Sequence, residues 1–356
     1  MGTWWKILVV LALAAACGGA FGCSINANGP RMRMGSLPFP GMFSLYAEAD
    51  PDDLGVHCSG PQIFHLHRPW ECERGTLYTR RAGFVDLSHV RDTIDWVYVL
   101  HGHVEEALGA LGGSEGDPAG FALHYCQARF EVWFDVPPWW GSLDERERGE
   151  LRQELAIRAA QRLSIVLATW HECATWLGHQ TVPGIPETWS AFTWDDCTAH
   201  VIGAIVGGRA LRDHTTSWDR AVTRELDEEL RQLEAVSKRE LKHAMRLVRD
   251  RWWKKNDPIR RDLDSGLGTG VKAGWLVPEL GANAVALELP DLNNVCGRDL
   301  RGMLRMQITP SRGMMRKLFG DRSRESLDGE AGLLEAVEAV RAQMREKWGD
   351  GFDRPD

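Results

Sequence analysis

Tyrosine is scarce in this 356-residue chain, with 4 copies against 16 of tryptophan, and no carboxylate occurs before Glu48. Basic residues are never gathered into a long run, and the formal charge is −8. Such a chain offers phosphates no positive face, so nucleic acid is not expected as a partner. Long apolar runs are equally rare. The extended one, over residues 7–16, is about half the length a membrane-spanning helix needs, and small residues follow it. Familiar motifs are missing too. Gly266-Leu267-Gly268-Thr269-Gly270 lacks the Lys-Ser/Thr of a phosphate loop, and His171-Glu172 has Thr175 where the zincin pattern His-Glu-x-x-His needs its second histidine. Cys58, His65, His67 and Cys72 do not fall at the spacing of a common structural zinc module.

The N-terminus carries the signature of export. Lys6 precedes the apolar run, as in a secretory signal. Ala20-Phe21-Gly22-Cys23 resembles a bacterial lipobox, in which the cysteine is acylated and becomes the new N-terminus, and Leu13-Ala14-Ala15-Ala16-Cys17 is an overlapping second version. Cys23 is the favoured lipid anchor. Ser24 follows it in place of an acid, which by resemblance to bacterial sorting directs the protein to the outer membrane. The expectation is a periplasmic protein whose first partner is a membrane, held through that anchor. Disulfides form in that compartment, and among Cys58, Cys72, Cys126, Cys173, Cys197 and Cys296 the local pair Cys58 with Cys72 is favoured.

Four regions follow from pattern. Residues 1–22 read as signal peptide. Residues 23–60, rich in Gly, Pro, Asn and Asp, read as a tether, and 61–215 as a helical core domain that holds the candidate site. Residues 216–356 read as a charged long helix and a mixed region packed on that core. Asp86 is placed to cap a helix whose apolar face is Val90, Ile94 and Val97. The stretch 121–136 alternates as a strand or hairpin, and Pro137-Pro138 stops it. Residues 143–176 are helical in one or two pieces, and a third helix runs from near Thr193 to about Arg212. The stretch 218–255 is charged and free of Gly and Pro, which predicts one long amphipathic helix ending at Trp252-Trp253. Turns with a short strand or two over 266–289 and a closing helix over 333–348 complete an α+β fold, predominantly α-helical, with small β hairpins.

Three short helical segments carry histidine beside acid: Ser88-His89-Val90-Arg91-Asp92, Trp170-His171-Glu172 and Asp195-Asp196-Cys197-Thr198-Ala199-His200. Burying such groups without a role costs free energy, and metal ligation or acid/base chemistry is the role that suits them. Leu151, Leu155, Ala159, Leu163 and Leu167 recur every fourth residue with His171 next, which turns His171 toward the core. Asp196 fits the capping-box spacing from Thr193 and also lies one turn before His200. Gly203, Ala204 and Gly207 continue that side of the helix and let another backbone come close.

The stretch Tyr78-Thr79-Arg80-Arg81-Ala82-Gly83-Phe84-Val85-Asp86-Leu87-Ser88-His89-Val90-Arg91-Asp92, with Trp170-His171-Glu172, Thr175-Trp176 and Ser190-Ala191-Phe192 before Asp195-Asp196, resembles a bacterial domain-of-unknown-function family, number 4056. The resemblance covers roughly residues 60 to 215. It implies an exported, lipoprotein-like envelope protein and groups the three segments as one site, and it carries no activity. In that family's pattern the histidine at position 200 is not constant, which ranks His200 below His89, His171 and Glu172.

The chemistry expected is a zinc ion on His89, His171 and His200, with Glu172 or Asp196 as base, hydrolysing a cell-envelope substrate. A second route uses Cys197 as nucleophile at a helix N-terminus. The alternative from another class is a non-catalytic envelope lipoprotein whose polar core fixes helix packing and whose surface binds a partner.

Overall fold

The structure is a computed structural model that describes residues 49–57, 75–111, 119–180, 187–254, 257–281, 283–320 and 324–353. The signal peptide, Cys17, Cys23, Cys58, His65, His67 and Cys72 lie outside the described residues. No described helix is long and apolar enough to cross a membrane.

Strands β1 (Thr76–Thr79) and β2 (Gly83–Asp86) form an antiparallel hairpin that feeds directly into helix α1 (Leu87–Ala110). Gly83 takes φ +80°, and a Cβ there would stand 2.0 Å from the Trp275 carbonyl oxygen, so only glycine lets these two backbones meet. Asp86 caps α1 as expected, accepting from the backbone N–H groups of Ser88 and His89. Strands β3 (Ala119–Tyr125) and β4 (Ala128–Phe134) form a second hairpin, turned by Cys126 and Gln127 at φ 45° and 60°. Ala128, Phe130, Val132 and Phe134 alternate into the core. The strand Leu304–Pro310 pairs with β4, and Leu327–Asp328 pairs with that strand, closing a four-stranded antiparallel sheet.

Helix α2 (Glu145–Trp176) is one unbroken piece that starts at an Asp144/Glu147 capping box. Helix α3 (Asp196–Arg212) crosses both α1 and α2. The small-residue side read from the sequence makes these crossings close. A Cβ on Gly203 would lie 2.4 Å from the Val90 carbonyl oxygen and 2.8 Å from Thr93 Cβ, and one on Gly207 3.0 Å from Val97 Cβ. Gln161 of α2 donates to the Ala204 carbonyl at 2.8 Å and locks the third side of the triangle.

The long helix expected over 218–255 is broken. Helix α4 (Trp218–Gln232) ends, and α5 (Lys238–Leu247) restarts behind a Ser237 cap. Between them Glu234 adopts φ 57°, the Arg80 N–H donates to its carbonyl, and the Val236 N–H donates to Tyr78. Continuing the helix would satisfy the same backbone groups but leave the β1 edge unpaired and Leu233 and Val236 unburied, so strand-like pairing wins. Trp252 is fully buried beyond α5, edge-to-face with Phe84, Trp194 and Trp275 in a second aromatic core. Helices α6 (Arg312–Phe319) and α7 (Gly329–Trp348) complete the C-terminal part, α7 lying against α2 and the sheet. The fold is α+β and predominantly helical.

Residues 49–57, within the stretch expected as tether, lie on this body. The Ala49 N–H donates to Thr76, Leu54 is buried, and His57 sits fully buried with Nε2 3.1 Å from Asp95 Oδ1.

Candidate metal centre

Three helix ends meet where the β2–α1 junction, the C-terminal turns of α2 and the first turn of α3 come together. The Asp86 cap puts His89 in the first turn of α1, which faces the start of α3 because Gly203 admits the Val90 carbonyl. Glu172 reaches the same point from the last turns of α2. The chain from 189 to 195 folds over it: Phe192, fully buried at φ 56°, donates its N–H to Glu172 Oε2 at 2.6 Å and accepts from the Asp262 N–H at 2.9 Å. A left-handed backbone at a bulky residue is strained, and these two bonds hold it.

His89 Nε2 lies 3.8 Å and His200 Nε2 3.5 Å from Glu172 Oε1, with all three atoms within 4.8 Å of one another. These separations are too long for good hydrogen bonds. They are close to the roughly 3.3–3.6 Å between ligands that each sit about 2.0–2.2 Å from a shared tetrahedral ion. His200 Nε2 is buried without a hydrogen-bond partner, while its Nδ1 is 3.1 Å from Thr93 Oγ1. One nitrogen of that ring is thus held from behind and the other aims into the cluster. On the opposite side of the His89 ring, Nδ1 stands 3.6 Å from Asp86 Oδ1 and 3.8 Å from Asp196 Oδ1, again buried and unpartnered. His89 itself is the way in, with 27% of its side chain exposed against 3% for Glu172 and 7% for His200.

The charges do not balance. Asp86, Glu172, Asp195 and Asp196 are all buried, and no described Lys or Arg pairs with any of them. Burial opposes a charge on His89, but Asp196, Asp86 and Glu172 outweigh it and hold its pKa well above the ordinary imidazole value. Burial likewise pushes Glu172 up, yet His200, His171 and His89 bring it down to about 2. Asp195 rises to about 6 through burial and the Asp86 charge. Asp196 rises well above the carboxylate range by burial, despite His89. A buried anionic group of this kind asks for a cation.

The structure brings together His89, His200, Glu172 and Asp196 of the residues singled out from sequence. It does not bring His171 with them. His171 turns the other way on α2, with Nδ1 3.2 Å from Cys126 Sγ and its ring stacked on Tyr125 at 6.0 Å, and burial lowers its pKa to about 4. The apolar row leading to His171 does point into the core, but into the part covered by the β3–β4 turn. Glu172, one residue on, faces the junction of α1 and α3. The ranking of His200 below His171 is therefore reversed by geometry. Glu172 is placed as a ligand more than as a base, since the Phe192 N–H holds Oε2 and Oε1 faces both imidazole nitrogens. Asp196 sits behind His89, with Oδ2 taken by the N–H and hydroxyl of Thr193 at 2.9 and 2.6 Å, which is its capping role. Asp92 lies apart, its charge bearing on Tyr125 and Cys126. Cys197 is fully buried, its Sγ 3.2 Å from the Asp262 carbonyl, and burial together with Asp262 pushes its thiol far up. That is an inert thiol and overturns the nucleophile route. Asp195 and Phe192 went unread as contributors. Asp195 stands beside Asp196 in sequence, but nothing local marks Phe192, whose contribution is its backbone N–H.

Fold and site together define a helical α+β protein with a buried His/carboxylate cluster able to hold a metal ion. The chain belongs to the family described as Protein of unknown function (DUF4056), which matches residues 13–262, more than half of its length. No curated protein and no solved structure matches it.

Proposed function

We propose that this chain is an exported bacterial envelope protein, lipid-anchored through Cys23 at the periplasmic face of the outer membrane, whose core is a metal-dependent hydrolase. The observation that carries the catalytic reading is the convergence of His89 Nε2 and His200 Nε2 on Glu172 Oε1. Two histidines and one glutamate with a side left open is the ligand set of catalytic zinc, whereas structural zinc is closed by four protein ligands. The partly exposed His89 marks the open side.

A divalent ion held there polarises a carbonyl and acidifies water. The chain supplies the rest. With Nε2 ligating, His200 carries its proton on Nδ1 and donates it to Thr93, which fixes tautomer and ring angle. Phe192 N–H holds Glu172 Oε2, leaving Oε1 turned to the histidines. The anchor reading rests on the apolar run 7–16 and the Ala20-Phe21-Gly22-Cys23 sequence. The substrate class that fits this location is an amide or ester of the cell envelope.

The test is metal content and hydrolysis of envelope-derived amides and esters by the purified full chain, with His200→Ala and Glu172→Gln beside it. Stoichiometric metal and activity, both lost in the folded variants, support the reading. A folded, metal-free wild-type chain sinks it in favour of a non-catalytic lipoprotein. Acyl labelling that survives Cys23→Ser would move the anchor to Cys17.

A further inference from the structure

We infer that the centre is dinuclear, with a second divalent cation on the far side of the His89 ring, held by His89 Nδ1 together with Asp196 and Asp86. The inference rests on the reading of His89, Glu172 and His200 as the first site and extends it.

Charge is the first argument. Asp86 and Asp196 are buried on the Nδ1 side of His89 with no described Lys or Arg paired to them, so either protons or a cation must neutralise them. An ion between His89 Nε2, His200 and Glu172 lies on the other side of the ring. Geometry is the second. Asp86 Oδ1, Asp196 Oδ1 and His89 Nδ1 form a group of potential donors within 4.8 Å of one another, separate from the first group yet sharing His89. At 3.6 and 3.8 Å the carboxylates are too far to take a hydrogen bond from Nδ1, and that buried nitrogen has no partner.

A further orphan atom lies beside this group but outside it. Asp195 is 2% exposed, and its Oδ1 has no hydrogen-bond partner. Its Oδ2 accepts from Thr76 Oγ1 at 3.3 Å, and Thr76 stands directly opposite Asp86 in the β1–β2 ladder. The Asp195 carboxyl is thereby set against that strand pair, beside Asp86. A buried carboxylate oxygen left unsatisfied is costly, and a bound cation removes that cost. Asp86 Oδ1 already accepts from the Ser88 N–H at 2.7 Å and from its hydroxyl, so it has the least left to give. Asp196 is the principal oxygen donor, with Asp195 a neighbouring buried carboxyl.

When the second ion binds, the proton on His89 Nδ1 leaves to solvent, and the imidazolate shares its two nitrogens between the ions. The donor set is harder than that of the first site, two carboxylates to one nitrogen against one to two, so Mn²⁺ is accepted as well as Zn²⁺.

The experiment is equilibrium dialysis of the full chain against Zn²⁺ or Mn²⁺ alone, with bound metal counted per folded chain. Two ions in the wild type and one in folded Asp196→Asn support the proposal. One ion in the wild type overturns it and leaves the first site standing, whereas none in a folded chain overturns both. Two ions retained in folded Asp196→Asn overturn the second site as placed. Titration with Cu²⁺ followed by electron paramagnetic resonance reads the bridge directly. Two copper ions sharing an imidazolate couple and lose signal at the second equivalent, and an undiminished signal at two equivalents overturns the shared ring even if Asp196→Asn does not fold.

Discussion

Replacing Gly203 by alanine tests whether the centre depends on how closely α1 and α3 approach. The added Cβ would meet the Val90 carbonyl oxygen at 2.4 Å and Thr93 Cβ at 2.8 Å, both parts of helix that cannot swing aside. Restoring ordinary contact of about 3.5 Å requires the helices to part by about 1 Å. His89 rides on α1 and His200 on α3, so separations now at 3.5 and 3.8 Å from Glu172 would grow toward 4.5 Å or more for at least one histidine. Two donors about 2.1 Å from one ion cannot stand more than about 4.2 Å apart. Overpacking costs about 1–3 kcal/mol, offset in part by up to about 1 kcal/mol of better helix propensity. We expect a fall of a few degrees in Tm and at least about a tenfold loss of Zn²⁺ affinity, measured by competition with a chromophoric chelator. Gly149→Ala in α2 is the control, because nothing lies within 4 Å of its added Cβ, and it should gain stability without touching affinity. Wild-type affinity in folded Gly203→Ala would refute the claim that this crossing positions the ligands.

His171→Ala should keep the metal content of the wild type while lowering stability by about 1–3 kcal/mol, because it removes packing on Tyr125 and not a ligand; loss of bound metal would return His171 to the site. In the metal-free protein the Glu172 carboxyl titrates at about 2, below its unfolded value of about 4.3. Its contribution is thus complete above pH about 4.3 and lost as pH falls toward 2, so wild type should outlast Glu172→Gln at neutral pH and converge with it by pH about 2. A gap in denaturation midpoints that stays constant over that range refutes the assignment. Glu234→Gly should stabilise the protein by about 0.5–1 kcal/mol by relieving the left-handed backbone at the α4–α5 break, and destabilisation would mean that the Glu234 side chain matters more than its φ of 57°.

Local physics decided whatever could be read from neighbouring residues. The Asp86 cap, the helix it starts and the β-pattern over 121–136 all depend on spacings of two to four residues, and each stands in the structure. The small-residue side of α3 also announced a close crossing, since a missing side chain has one effect wherever the partner comes from. Periodicity carried His171 into the core, but residues adjacent on a helix point about 100° apart. Which of His171 and Glu172 meets the other histidines therefore depended on where α1, α3 and the β3–β4 turn lie around α2. The unbroken charge pattern over 218–255 concealed the break at Glu234, because the competitor for those backbone bonds is the edge of β1, some 155 residues earlier in the chain. Sequence alone thus determined most of the elements, though not the break within 218–255, and the presence of His–acid pairs. Only tertiary structure chose His89, Glu172 and His200 out of them, because convergence of donor atoms to within a few ångströms is set by helix crossings and long-range strand pairing.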